Sequence, residues 1–447
     1  MRFLRVSVLL VALALGLGLA GPVSAGQFGA ETFTLQNGLQ VVVVQNHRSP
    51  VVTQMVWYKV GAADEPLGTS GIAHFLEHLM FRGTKETPPG AFSRIVSQNG
   101  GRDNAFTTSD YTAYFQNVAS DRLELMMKLE AERMVDLQLT DAVVTPERQV
   151  IIEERRSRID NNPSSLLSEQ IDTAIYLHHP YRIPVIGWEH EMQKLSTKDA
   201  QDFYKKWYAP NNAVLIVVGD VTTEKVREFA EKYYGPIPSR PVPERLRVSE
   251  PPKVASARLE LKSPRAGSAS WSRYWLAPSY RDGAKQYAYA LQVLSNALGG
   301  GATSRLYKAL VVEKGLALNA GSFYRPNSVD LTTFGFYATP KPGVAIPDLE
   351  SAIEVETKKL LKDGLTAEEV ERAKARMQSA AIYSRDSLSG PARIIGEGLA
   401  TGRSLDEIEA WPDRIGAVTV EEVNAAARLV IKEDVSVTGV LLPQPTS

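Results

Sequence analysis

The stretch GIAHFLEHLMFRGT, residues 71–84, places two of the chain's six histidines four residues apart, with a glutamate directly before the second. Apolar residues repeat there at helical spacing and Thr69 or Ser70 stands ready as a cap, so the pattern predicts a helix that Gly83 stops. One turn apart on such a helix, His74 and His78 share a face and can converge on one ion. Glu77 follows His74 by three residues, close enough to touch a water on that ion. Zinc draws the pKa of such a water towards neutrality, and a carboxylate beside it can take the proton as the water attacks a carbonyl. The plainer reading is a helix with two satisfied histidines and a surface glutamate, which an ordered triple on a capped helix argues against.

A catalytic zinc site needs a third protein ligand and keeps its fourth position for water. The chain has no cysteine, so the ligand must be His, Asp or Glu; disulfides, a thiol nucleophile and a lipid-modified N-terminal cysteine are excluded. The helical stretch TPERQVIIEERRSRID, residues 145–160, offers Glu147, Glu153 and Glu154. Glu147 and Glu154 lie seven apart, two turns along one face, whereas Glu153 points elsewhere. Glu154 as ligand, with Glu147 behind it steadying a histidine, uses that face well. Spacing alone does not choose Glu154 over Glu153.

With 447 residues, 44% hydrophobic and 23% charged, the chain is globular and too long for one core, and at least two domains are expected. Its start reads as an export leader: Arg2 and Arg5, an apolar run over residues 6–19, then Val23-Ser24-Ala25 as a small-residue cleavage site. The run is shorter than the roughly 20 residues of a spanning helix, so residues 1–25 are expected to be removed as a signal peptide, leaving no stable membrane anchor. A periplasmic or secreted bacterial protein follows. The formal net charge is −1, with no basic patch, so nucleic acid is not an expected partner.

Residues 237–254, IPSRPVPERLRVSEPPKV, hold five prolines among alternating charges and read as an extended linker. They divide the chain into an N-terminal domain, 26–236, and a C-terminal domain, 255–447. The halves repeat one another. An alternating strand runs into an amphipathic helix in both YTAYFQNVASDRLELMMKLEAERM and LTTFGFYATPKPGVAIPDLESAIEVETKKL; LTDAVVTPERQVIIEE then matches LTAEEVERAKARMQSA. TFTLQNGLQVVVVQN adds a hairpin turn at Asn37-Gly38. Strands and helices mix without the strict alternation of a parallel sheet, so the expected class is α+β: two duplicated domains, each a mixed, mainly antiparallel sheet packed with helices.

HFLEH, followed by ERQVIIEE ending at Glu154, resembles the zinc pattern of the pitrilysin/insulinase family of inverted-zincin peptidases, in the two-domain branch that includes the mitochondrial processing peptidase. GGRDNAFTTSDYTAYF, HPYRIPVIG and WYAPNNAVLIVVGD are similar to family text as well. The resemblance implies Zn2+, one per chain, held by His74, His78 and Glu154, with Glu77 as base and Glu147 as the supporting catalytic carboxylate. It also implies that substrate backbone adds as a strand beside Asn104, Ala105 and Phe106, a mode that holds an extended peptide while reading little of its sequence. The second half is expected to lack a metal site: Ala373 and Ala380 stand opposite Glu147 and Glu154, and YALQVLSNALGGG contains no His or Glu.

One departure stands out. Family members that complete the site themselves carry an arginine and, seven positions later, a tyrosine, which bind the substrate carbonyl and stabilise the oxyanion. Those positions here hold Val311 and Leu318. The resulting expectation is an exported zinc endopeptidase acting on peptides or unfolded polypeptides in an enclosed chamber. A homologous partner subunit would supply the Arg/Tyr pair in a heterodimer; the alternatives are a homodimer mate or another residue of the same chain. Two further functional readings are a non-catalytic assembly subunit of the same fold and a processing peptidase for one dedicated precursor.

Overall fold

Four consecutive valines at residues 41–44 are buried on both sides: Val41 and Val43 enter one apolar core, Val42 and Val44 another. A strand with so continuous an apolar run needs cover on both faces, and that need sets the layers. The computed structural model describes residues 26–444; the leader read over residues 1–25 lies outside them. Among the described residues no helix is long and apolar enough to cross a membrane.

The first sheet contains β1 (Glu31–Thr34), β2 (Gln40–Gln45), β3 (Val51–Tyr58), β4 (Arg102–Thr107), β5 (Thr112–Ala119) and β6 (Ala213–Gly219), in the order β1-β2-β6-β3-β5-β4. The second contains β7 (Ala257–Ser263), β8 (Ser270–Ala277), β9 (Ala317–Tyr324), β10 (Thr332–Pro340) and β11 (Val437–Pro443), in the order β7-β11-β8-β10-β9. One pair in each sheet is parallel, β2 with β6 and β7 with β11, and the others are antiparallel. Laying β2 to β6 over β7 to β11 reproduces neighbours and directions throughout, so the halves are two versions of one α+β unit. Strand β1 is an addition to the first. Buried Asn37, in the β1–β2 hairpin, donates from Nδ2 to the carbonyls of Tyr234 and Ile237 at 2.7 and 2.8 Å, tying that turn to the end of its own half.

One face of each sheet carries helices of its own half. The opposite faces are covered by exchange. The helix Gly390–Ala400, from the second half, lies over β3 and β6, and the helix Pro163–Ile175, from the first, lies over β7 and β11. Both contacts need a glycine. A Cβ on Gly396 would stand 2.0 Å from the Trp57 ring, and one on Gly439 of β11 would stand 2.3 Å from Ile171 Cδ1. Residues 237–254 contain neither helix nor strand and run as a strap pinned to both halves. Arg247 lies 3.2 Å from Asp64 and from Asp110 of the first half and 3.4 Å from Asp330 of the second.

If the exchanged helix holds the halves together, Gly396→Val should lower stability by about 1–3 kcal/mol through overpacking against Trp57. Gly267, where an added Cβ meets nothing within 4 Å, supplies the control. Urea unfolding should show a lower midpoint for Gly396→Val and an unchanged one for Gly267→Val.

Candidate metal centre

The histidine helix spans Ile72–Leu79, and neither Thr69 nor Ser70 caps it. Gly71 takes φ +87°, where a Cβ would stand 2.5 Å from the carbonyl oxygen of Ile186. The cap comes from Glu65, whose carboxylate accepts the N–H groups of Gly71 and Ala73, each at 2.9 Å. Ser70 Oγ is engaged elsewhere, accepting Trp188 N–H at 2.9 Å. A short 3-10 turn, Ala62–Asp64, folds Glu65 back onto the helix start, where a negative group meets the positive end of the helix dipole. Burial pushes the Glu65 carboxyl well above its usual range, against the pull of those two N–H donors. The helix also ends four residues before Gly83, which turns against Pro89.

Glu154 comes from the helix Asp141–Arg155, which crosses the histidine helix. Its Oε2 lies 3.5 Å from His74 Nε2 and 3.1 Å from His78 Nε2. One ligand atom from each of the three residues falls within 4.8 Å of the others, and among the described residues they form the one such cluster. Glu147, two turns earlier, places Oε1 3.0 Å from His78 Nδ1, while its Oε2 meets Arg82 Nε at 2.5 Å. Arg158 holds the other Glu154 oxygen at 2.7 Å. Glu153, the open alternative in the sequence, faces solvent and pairs with Arg156.

The donor chemistry fits zinc. Glu154 Oε2 is buried and receives no hydrogen bond: an orphaned acceptor beside two imidazole Nε2 atoms is what a cation would satisfy, and His2Glu is a zinc ligand set. Burial, assisted by the neighbouring His78, pulls His74 down to about 4, keeping its nitrogens free of charge. Burial also pulls on His78, but Glu147 and Glu154 reverse the effect and hold it at about 9. The contact with His78 keeps Glu154 below the usual carboxylate range. Glu147 is lowered too, since His78 and Arg82 outweigh its burial. Glu77 moves the other way, pushed up by burial against a hydrogen bond from Thr107 Oγ1 at 2.5 Å.

A groove of about 930 Å³ opens beside the cluster, bordered by Asn104, Ala105 and Phe106 as well as the two histidines, Glu77 and Glu154. Strand β4 is one of the sheet's two edge strands and, among the described residues, pairs only with β5. The Ala105 N–H is taken by Asn104 Oδ1 at 2.9 Å instead of by a neighbouring strand. The Phe106 ring packs edge-on to Trp57, with centroids 5.4 Å apart. In the second half, Ala373 is buried and the helix Ala288–Gly299 carries no His, Asp or Glu. Val311 packs at the edge of the second core and Leu318 is 53% exposed on β9; neither borders the groove. Arg305 pairs with Glu369 at 2.5 Å.

Arg82, Arg158, Thr107 and Glu65 went unnoticed in the sequence. Arg158 follows Glu154 by one helical turn, a spacing that signals contact, whereas Arg82 reaches Glu147 from another helix and leaves no periodic mark. Thr107 and Glu65 act across loops and leave no such mark. Removing the cap as Glu65→Ala should cost about 1–2 kcal/mol, read as a lower thermal midpoint, with Glu65→Gln restoring part of it.

The family model described as Insulinase (Peptidase family M16) matches residues 40–188, and that described as Peptidase M16 inactive domain matches residues 194–377. The zinc protease PqqE of Helicobacter pylori is 35% identical over 375 residues, 82% of either chain. A probable mitochondrial-processing peptidase subunit beta of Schizosaccharomyces pombe is 25% identical over 428 residues, 92% of this chain and 91% of that one. The crystal structure of a protease from Helicobacter pylori superposes with a TM-score of 0.86 at 32% identity, covering 93% of this chain and 99% of that one. With both of its halves matched and a zinc protease among its relatives, the chain belongs to the insulinase family of peptidases, M16.

Proposed function

We propose that the chain is an exported zinc endopeptidase that cleaves peptides or unfolded polypeptides, with one zinc held by His74, His78 and Glu154. The observation that carries this reading is the convergence of those three residues beside Glu77 and a free sheet edge. Zinc at this position supplies Lewis-acid polarisation of a substrate carbonyl and lowers the pKa of water. The chain's own residues do the rest. An extended peptide adds to the open side of β4, displacing the Asn104 side chain from the Ala105 N–H, and so lies across the histidines. Glu77, raised by burial and steadied by Thr107, takes a proton from the attacking water and passes it to the leaving amine. Glu147 fixes the orientation of His78 through Nδ1.

The same reading divides the chain into a leader (1–25), a zinc-binding domain (26–236), a strap (237–254) and a domain without metal (255–447). The leader supports a periplasmic or secreted location. Among the described residues the groove is bordered only by residues 74–186, and no arginine–tyrosine pair occupies positions 311 and 318. Both facts favour a homologous partner subunit, or a homodimer mate, that closes the chamber and stabilises the oxyanion. The S. pombe relative is by its name a subunit.

Glu77→Gln should lower kcat on a quenched fluorescent peptide mixture by about 10²–10⁴-fold while the protein retains its zinc. Full activity in that variant would remove Glu77 from the chemistry, and activity that persists after chelation would remove the metal. The divided site makes a second prediction. Since neither position borders the groove of its own chain, Val311→Arg combined with Leu318→Tyr should raise turnover only where a second copy of the chain brings the pair to the site, read as activity that rises with self-association, and ordinary turnover by the unaltered chain as a monomer would end that part of the proposal.

A further inference from the structure

The place in the second half that corresponds to the zinc site is not filled in. Counterparts follow from the two crossing helices. Gln292 and Asn296, one turn apart on Ala288–Gly299, stand where His74 and His78 do; Arg376, Ala380 and Ser384, on Ala367–Asp386, stand for Val150, Glu154 and Arg158. The contact of Thr107 with Glu77 has its analogue in Ser322 donating to Ser295 at 3.4 Å. All five helix residues border a cavity of about 520 Å³, within the range of small-molecule sites.

Its walls are amphipathic. Tyr280, Trp411, Met377 and Ile408 supply apolar surface, and Arg376 and Arg403 supply charge. Among the described residues every hydrogen-bond acceptor of the two guanidiniums is neutral. Arg376 donates to Asn296 Oδ1 at 2.9 Å, to the Asn296 carbonyl at 2.5 Å and to Thr303 Oγ1 at 3.2 Å. Arg403, only 7% exposed, donates to the Glu407 carbonyl at 2.8 Å and Asn327 Oδ1 at 3.4 Å, with its face 4.0 Å above the Tyr280 ring. No carboxylate oxygen of the described residues stands within 4.0 Å of either. Glu397 acts on Arg403 only from a distance, its own hydrogen bonds going to Asn327 and Tyr111. A buried cation normally has an anionic partner, and Arg403, with the half-buried Arg376 beside it on the same cavity, leaves that partner to a ligand.

We propose that this cavity binds a carboxylate-bearing small molecule with a compact apolar body, the carboxylate drawn by Arg376 and Arg403 and the body lying against Trp411 and Tyr280. Duplication thus left two sites of different chemistry: one built to hold a cation, the other an anion. The inference does not rest on the zinc reading, because none of these residues belongs to the metal cluster.

Calorimetric titration of the full chain with N-acetyl-phenylalanine tests it, with N-acetyl-phenylalaninamide as the uncharged comparison. One equivalent of the acid should bind, and the amide at least about tenfold more weakly. Arg376→Met should cost a similar factor. Ala380→Trp, which fills this cavity, should abolish binding, while Val150→Trp, at the matching position in the zinc groove, should leave it unchanged. Equal binding of acid and amide, no saturable binding at all, or loss in Val150→Trp with retention in Ala380→Trp would each overturn the proposal.

Discussion

Both nitrogens of one imidazole are claimed by one helix. His78 meets Glu147 at Nδ1 and Glu154 at Nε2, and because those glutamates are two turns apart, the histidine helix has a fixed rotation and height against the glutamate helix. The position of His74 follows, being one turn back on the same rod, and so does that of Glu77. Arg82 and Arg158 close the row at its ends by taking the carboxylate oxygens that face away from the histidines. The result is a line of groups with alternating charge, its two carboxylates balanced by two guanidiniums. Such a row keeps two anions ionised inside the protein without leaving either uncompensated, while Glu154 Oε2, which lies near both Nε2 atoms but receives no hydrogen bond, is the oxygen a metal would take.

The duplicated unit frames this row twice but uses it once. In the second half the two helices cross in the same way and the outer strand again runs beside them, yet the inward positions hold Gln292, Asn296 and Ala380. The fold therefore does not depend on the metal cluster, since the same arrangement of helices and sheet stands without it. What the fold provides is a corner where two helices and a sheet edge meet. The side chains at that corner set its chemistry.

Much of this was legible because it is written at short range. Histidines four apart, glutamates seven apart and the repeated strand–helix text all depend on helical or pleated periodicity, which a sequence displays directly. The choice of Glu154 over Glu153 came from family resemblance, because the two are adjacent in the text; on the helix they lie about 100° apart, and Glu153 faces water. The cap was misread for the opposite reason. Ser70 has the right residue type in the right place, but Glu65 reaches the same N–H groups through a folded-back turn, and a contact of that kind has no period. Nor could the valines at residues 41–44 reveal what covers their second face. They announce burial on both sides, but the cover lies some 350 residues away along the chain, in Gly390–Ala400.

The exchanged helices also set an order on biosynthesis. A chain made from its N-terminus has all six strands of the first sheet by residue 219, yet Val42, Val44, Val214, Ile216 and Val218 stay bare until residue 400 has emerged. At about 5–20 residues per second that interval lasts about ten to forty seconds, during which a sheet with one apolar face uncovered is open to sticking to itself or to other chains. Neither half can finish alone, so either one produced as a fragment would carry a bare sheet face and need the other, added in trans, to become soluble.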